Sequence, residues 1–154
     1  NPEVRQAIVG LTAKLAGRGD ERVLAALHAT LGKNDASRRR TAVEALWQLA
    51  AHGDADAVER TALCLEAKDT LLRRSAVDAC GRVAPPGDSY AIARVTLRLE
   101  HHDHRVRRAA VEALARVTPR GNMEAIRAAA ARLEHPEDGT RRAAVEALAA
   151  VVER

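Results

Sequence analysis

The chain has 154 residues, 47% of them hydrophobic and 30% charged, with no Phe, one Trp, one Tyr and a net charge of +4. That mixture is too apolar and too balanced in sign for a disordered chain, and no apolar run approaches the roughly 20 residues needed to span a bilayer. With 34 alanines, the core must be built from Ala, Val and Leu, which suits helices packed at the lower end of the roughly 8–10 Å interaxial range.

The mild basic excess permits an acidic partner without requiring one. Cys64 and Cys80 form neither a disulfide framework nor a metal-ligand spacing, which points to a reducing compartment. The opening residues read as a charged helix and not as a signal peptide. The expected location is therefore intracellular, cytoplasmic or nuclear, with no membrane contact.

Taken in chain order, residues 3–16 read as a helix with Arg5, Ile8, Val9 and Leu15 on its patterned positions. Four longer units follow, at 20–50, 54–84, 88–118 and 122–153, in a 34-residue period. Val9, Val43, Val77, Val111 and Val145 form one column; Gly19, Gly53, Gly87 and Gly121 form another. Leu31, Leu65, Leu99 and Leu133 form a third. A fixed period of this size indicates a solenoid whose units touch only their sequence neighbours.

Within each unit, Asp20, Asp54, Asp88 or Asn122 stands as a helix N-cap. An apolar stripe at i, i+3, i+4 and i+7 then defines a first helix. Its members are Leu24, Leu27, His28 and Leu31; Val58, Thr61, Ala62 and Leu65; Ile92, Val95, Thr96 and Leu99; and Ile126, Ala129, Ala130 and Leu133. A polar turn leads to a second helix, where repetition is tightest: RRTAVEAL from Arg39, RRSAVDAC from Arg73, and RRAAVEAL from Arg107 and from Arg141. Each second helix ends before Gly or Pro (Gly17, Gly53, Pro85, Pro119). The prediction is nine helices, no strand, and a fragment of a longer array, because neither terminal helix has a polar capping face.

Thirty-four residues is also the tetratricopeptide length, but the aromatic positions of that pattern are missing, as is the Thr-Pro-Leu-His signature of ankyrin repeats. The run Asp103-His104-Arg105-Val106-Arg107-Arg108-Ala109-Ala110-Val111-Glu112-Ala113-Leu114 instead resembles the HEAT-repeat family, in particular its short, phycobilisome-lyase-like variety. The Val of Val-Arg becomes Arg38, Leu72 and Thr140 elsewhere, and the unit is shorter than the roughly 40–47 residues of larger HEAT repeats. The resemblance implies an all-α, right-handed solenoid of antiparallel helix pairs with the second helices lining its concave side. It also implies a structural ladder in which Asp35, Asp69 and Asp103, with Glu137 or Asp138 last, meet Arg39, Arg73, Arg107 or Arg141 of a neighbouring unit.

On the second helices, the face away from the core carries four columns. One is basic (Gln6, Arg40, Arg74, Arg108, Arg142) and one acidic (Gly10, Glu44, Asp78, Glu112, Glu146). A third is polar to basic (Lys14, Gln48, Arg82, Arg116, Ala150), and the fourth varies in size (Ala13, Trp47, Gly81, Ala115, Ala149). Two readings stand. Pairs such as Arg108 and Glu112 at i, i+4 make a solvated, mutually satisfied face worth about 0.2–0.5 kcal/mol each; or a polar partner displaces those pairings. Trp47, large where its mates are small, is expected either to protrude as a contact residue or to cover the flank of the neighbouring helix.

His101, His102 and His104 near Asp103 lie in the most variable turn, with rings expected to point apart, and no metal is assigned to them. His28 is expected to be partly buried. Cys80 takes a leucine's place in the core, and Cys64, matching Thr30, Arg98 and Arg132, is expected to be exposed. No nucleophile elbow, phosphate loop or paired carboxylates outside the scaffold appear, so neither enzyme nor cofactor is expected. The reading is a scaffold, monomeric or weakly self-associating, that binds a protein or peptide. Its surface would be Arg40, Glu44, Trp47, Gln48, Arg74, Asp78, Arg82, Arg108, Glu112, Arg116, Arg142 and Glu146. Nucleic-acid binding through arginine rows and an accessory role in a lyase-type enzyme are the alternatives.

Overall fold

The computed structural model describes residues 7, 10, 11, 19–31 and 35–152. Most of the helix expected over 3–16 lies outside the described residues, as do Lys33, Asn34 and residue 153. Eight α-helices are described: α1 (Glu21–Leu31), α2 (Ala36–Leu49), α3 (Ala55–Leu63), α4 (Thr70–Val83), α5 (Ser89–Thr96), α6 (His104–Val117), α7 (Met123–Ala130) and α8 (Asp138–Val152). No strand occurs among the described residues.

The helices start where the aspartate column places them. Asp54, Asp88 and Asn122 accept from the backbone N–H of Ala57, Ala91 and Ala125 at 2.8, 2.7 and 2.9 Å, which satisfies one of the donors a helix start leaves open. The even-numbered helices stack on one another as one row, α3, α5 and α7 stack as a second, and each odd helix packs against the even helix that follows it. This is a two-layer α-solenoid.

Small side chains make that stack close. Ala42, Ala45, Ala76, Ala79, Ala110 and Ala113 are all buried between helices. Gly81 shows how near two neighbours come, because a Cβ there would lie 2.8 Å from Arg116 Cβ and 2.9 Å from its carbonyl oxygen. The valine column packs beneath the following unit, so Val43, Val77 and Val111 are 0, 5 and 9% exposed, whereas Val145, with no unit after it in this chain, is 58% exposed.

The glycine column has two duties. Gly19, Gly53, Gly87 and Gly121 all adopt positive φ, between 68 and 83°, a region that costs other residues roughly 1–2 kcal/mol. Their N–H groups then donate across the stack, from Gly19 to Leu49 O, Gly53 to Val83 O, Gly87 to Val117 O and Gly121 to Val151 O, at 2.7–3.0 Å. Each unit is thus stitched by backbone to the end of the next even helix.

The odd helices are shorter than their stripes suggest. α3 and α5 tighten into 3-10 turns at Cys64–Glu66 and Leu97–Glu100, so Leu65 and Leu99 are buried from 3-10 and not α geometry. In the last unit the Arg132 N–H reaches back to Ala129 O, and its guanidinium fills the carbonyl of Ala128 that an α-helical N–H would have taken. Arg98 does likewise to Arg94 O at 2.8 Å.

Candidate functional site

The even-numbered row carries the residues expected to meet a partner, and their surroundings differ. Arg40 and Glu44 approach to 3.7 Å, and Arg108 and Glu112 to 3.2 Å, each pair within one helix. Arg116 instead reaches Asp78 of the preceding unit at 3.2 Å. Arg142 turns to Asp138 in its own first turn at 2.7 Å, leaving Glu146 without an ion pair among the described residues. Arg74 likewise has no acidic partner among them. Gln48 is half-buried.

Trp47 does not stand free. It is half-buried against the core, leaning toward the next even helix, and the Arg82 guanidinium covers its ring at 4.5 Å from the centroid. Trp47 and Arg82 are therefore occupied first with each other in a cation–π contact.

Two grooves lie between neighbouring even helices. The first, about 320 Å³, runs between α4 and α6 and is lined by Arg74, Arg105, Arg108, His104 and Glu112 above a floor that includes Val77 and Ala109. The second, about 260 Å³, runs between α6 and α8, with Arg108, His104, Arg142 and Glu146 around Ala143 and Gly139. Arg108 and His104 form the ridge common to both. His104 was noted from sequence only as part of its turn, with no metal assigned, and Arg105 was not singled out. The first-turn column that holds Arg105 is otherwise Ser37, Leu71 and Gly139, so no repeated chemistry marked it.

In the arginine column beneath, Arg73, Arg107 and Arg141 bond within their own unit and not to the acid of a neighbouring one, Arg141 pairing with Asp138 of its own first turn at 3.2 Å. Arg73 donates to Ala67 O at 2.7 Å, Arg107 to His101 O at 2.8 Å and Arg141 to His135 O at 2.8 Å. Each also reaches the next carbonyl of the same turn. These arginines thus close their own unit's turn, whose carbonyls have no helical donor. Arg107 additionally packs on Gly139, where a Cβ would sit 2.5 Å from its Nη2. Asp35, Asp69 and Asp103 cap their helices through the N–H groups of Arg38, Leu72 and Arg105. The Arg105 side chain, together with its backbone N–H, holds the Asp103 carboxyl far below the usual carboxylate range.

Ion pairs between units do exist, on the odd-numbered row. Arg98 Nε meets Glu66 Oε1 at 3.0 Å and Arg132 Nε meets Glu100 Oε1 at 2.9 Å. Glu59 receives Arg94 and the Tyr90 hydroxyl, the latter at 3.1 Å. Burial pushes the Glu59 carboxyl up, but the hydrogen bonds from Arg94 and Tyr90 and the charges of Arg94 and Arg98 outweigh it and leave it below its ordinary value. His28 Nδ1 lies 2.8 Å from Asp56 of the next unit, and burial lowers its pKa despite that carboxylate.

Cys64, expected at the surface, is buried at 3% exposure. Its column faces the neighbouring unit, where even Arg98 is 5% exposed. Burial raises the Cys64 thiol pKa against the opposing Arg39, and pushes that of Cys80 up to about 12. The His101 and His102 rings do not point apart but stack at 4.2 Å, and His101 Nδ1 accepts the Asp103 N–H at 3.0 Å. Among the described residues no group of three or more His, Cys, Asp or Glu is arranged to hold a metal ion, and no helix is long and apolar enough to cross a membrane.

Comparison with known proteins agrees with this geometry. The sequence profile of the family described as HEAT repeats matches residues 59–149. The chain is similar over its whole length to the crystal structure of an engineered protein, at 21% identity and a TM-score of 0.52, covering 77% of that protein. A second engineered protein is similar over 83% of this chain and 62% of its own, at 18% identity and a TM-score of 0.46. No curated protein matches the sequence.

Proposed function

Because the chain belongs to the HEAT-repeat family, whose members are generally non-catalytic scaffolds for protein interaction, we propose that it binds a protein or peptide partner along its even-numbered helices. The resemblance puts these on the concave side. The observation that carries the reading is the pair of open grooves flanking α6, where Arg74 has no acidic partner and Arg108 gives its charge only to a neighbour on its own helix. An i, i+4 pair of this kind is worth about 0.3–0.5 kcal/mol, so a partner displaces it at little cost.

Trp47 and Arg82 take part as one stacked unit, and Arg40, Glu44, Gln48, Asp78, Glu112, Arg116, Arg142 and Glu146 form the polar surroundings. Converting Arg74 and Arg108 together to Glu is expected to abolish partner capture by the array with its helicity unchanged by circular dichroism. Capture that survives the reversal moves the binding surface to another face. The rival reading, a duplex lying on the arginine row, predicts retention on generic duplex DNA that weakens steeply as salt rises. It meets an obstacle in the acidic column one helical turn away.

A further inference from the structure

The two grooves repeat with the spacing of the helices that form them, and that spacing selects a ligand. Neighbouring helices in contact lie about 8–10 Å apart, and the close approach at Gly81 and the alanine-lined contacts keep this row tight. Arg74, Arg108 and Arg142 therefore recur at about that interval across the row. An extended chain in the polyproline II conformation rises about 3.1 Å per residue with three residues per turn, so every third side chain points the same way, about 9 Å from the last. A β-strand offers no such match, because residues three apart point to opposite faces.

The charges select further. Of the cations around the first groove, Arg73 is committed to turn carbonyls and Arg105 to Asp103. Arg74, with no acidic partner among the described residues, and Arg108, 80% exposed, remain to receive an anion. The acidic column, Glu112 and Glu146, stands one helical turn away, about 6 Å along the axis. Glu112 lines the first groove and Glu146 the second, so a single extended chain on the arginine row meets one carboxylate in each groove. A duplex, whose major groove alone is about 12 Å wide, lays phosphates over both.

We infer that the grooves between α4 and α6 and between α6 and α8 take an acidic peptide segment in polyproline II conformation. It carries a carboxylate at every third residue, with successive carboxylates on Arg74, Arg108 and Arg142 and small side chains between them over Val77, Ala109 and Ala143. The inference rests on the reading of this row as the partner-binding face and names what that face recognises. Glu112 and Asp138 are its internal competitors, holding Arg108 at 3.2 Å and Arg142 at 2.7 Å until peptide carboxylates replace them.

The test is fluorescence anisotropy on the full chain with two labelled twelve-residue peptides of equal composition in Glu, Ala and Pro. One has Glu at every third position and the other has the same glutamates in one block. The period-three peptide is expected to bind roughly tenfold more tightly. Arg108→Ala is expected to weaken it by about tenfold and Glu112→Gln to tighten it by about threefold, while neither changes the circular dichroism spectrum. Equal affinity for the two peptides, indifference to Glu112→Gln, or displacement of the peptide by an equimolar single-stranded oligonucleotide overturns the inference. If the peptides are not told apart while the Arg74→Glu and Arg108→Glu reversal still abolishes capture of a protein partner, the binding face stands and only its acidic-peptide specificity falls. If the reversal is silent in both assays, the face itself is wrong.

Discussion

On the odd-numbered row, Arg98 meets Glu66 and Arg132 meets Glu100, each pair joining two units; on the even-numbered row, Arg40 and Arg108 turn back to Glu44 and Glu112 of their own helices. The one pair that joins units there among the described residues, Arg116 with Asp78, is exposed on both sides. The side chains are the same kinds, and both rows alternate in sign. What differs is reach and burial. Arg98 is 5% exposed and its guanidinium also closes a backbone carbonyl, whereas Arg108 is 80% exposed and touches one carboxylate. A buried cross-unit pair cannot be surrendered without leaving a charge unsatisfied, while an exposed pair within one helix exchanges partners readily. The buried arginines of the odd row hold the stack, and the exposed pairs of the even row exchange more readily.

This contrast breaks most sharply at Arg98. Its replacement by Ala is expected to cost about 2–3 kcal/mol, from lost charged hydrogen bonds and lost packing of the side-chain stem. Urea denaturation would measure the loss, and binding to the period-three peptide should be unchanged. A cost under about 0.5 kcal/mol, the range of ordinary surface changes, would remove the distinction between the rows. Gly87→Ala tests the backbone stitch that both rows share. Its φ of +82° and contacts of 3.3–3.4 Å to Asn122 and Pro119 predict a loss of about 1–2 kcal/mol, read as a lowered thermal midpoint.

Acid sharpens the comparison further. Because the folded Glu59 carboxyl lies below its ordinary value, its contribution is fully present above the ordinary glutamate range and is lost as pH falls through the lower folded value. Glu59→Gln should lower stability at neutral pH and flatten the acid limb of the stability curve. An unchanged acid limb would mean that the Arg94 and Tyr90 contacts do not hold this carboxylate in solution. The smallest effect is expected on the even row, where Arg108→Ala should change stability by no more than a few tenths of a kcal/mol while weakening the acidic peptide. A large stability loss there would make Arg108 part of the scaffold.

Much of the scaffold was legible in the residues. The Asp54, Asp88 and Asn122 column read as N-caps and is one, because an N-cap is a local device whose donor lies three residues away. The valine and leucine columns read as core because helical periodicity reports one buried face, and Val43, Val77, Leu65 and Leu99 are buried, whereas Val145 and Leu133 in the last unit are 58% and 39% exposed. Cys64 was misread because its column holds Arg98 and Arg132, and polarity suggested solvent where the column in fact faces the next unit. The Glu66–Arg98 pairing, 32 residues apart, was visible in principle as two columns offset by slightly less than the period. The acid and arginine of each turn, nearer in sequence, drew the ladder there instead.

The candidate surface was legible as columns but not as grooves. Arg74, Arg108 and Arg142 fall in register by repetition alone, yet which of them keeps a free charge depends on rotamers and neighbours. Asp138 takes Arg142, and Asp78 is taken by Arg116 from the next unit. Trp47 was conspicuous by size, but only the tertiary structure shows its ring half-buried beneath the Arg82 guanidinium.

By itself, the sequence determined the period, the helix starts, the apolar faces and the class of architecture, because each depends on interactions spanning a turn or two of helix. The tertiary structure alone decided where the Arg107 column bonds, why the glycines recur, and which charges join units and which remain open. The arginines bond carbonyls five or six residues away once their turn has its shape, while the other outcomes depend on contacts about thirty residues apart, set by how closely small side chains let one unit approach the next.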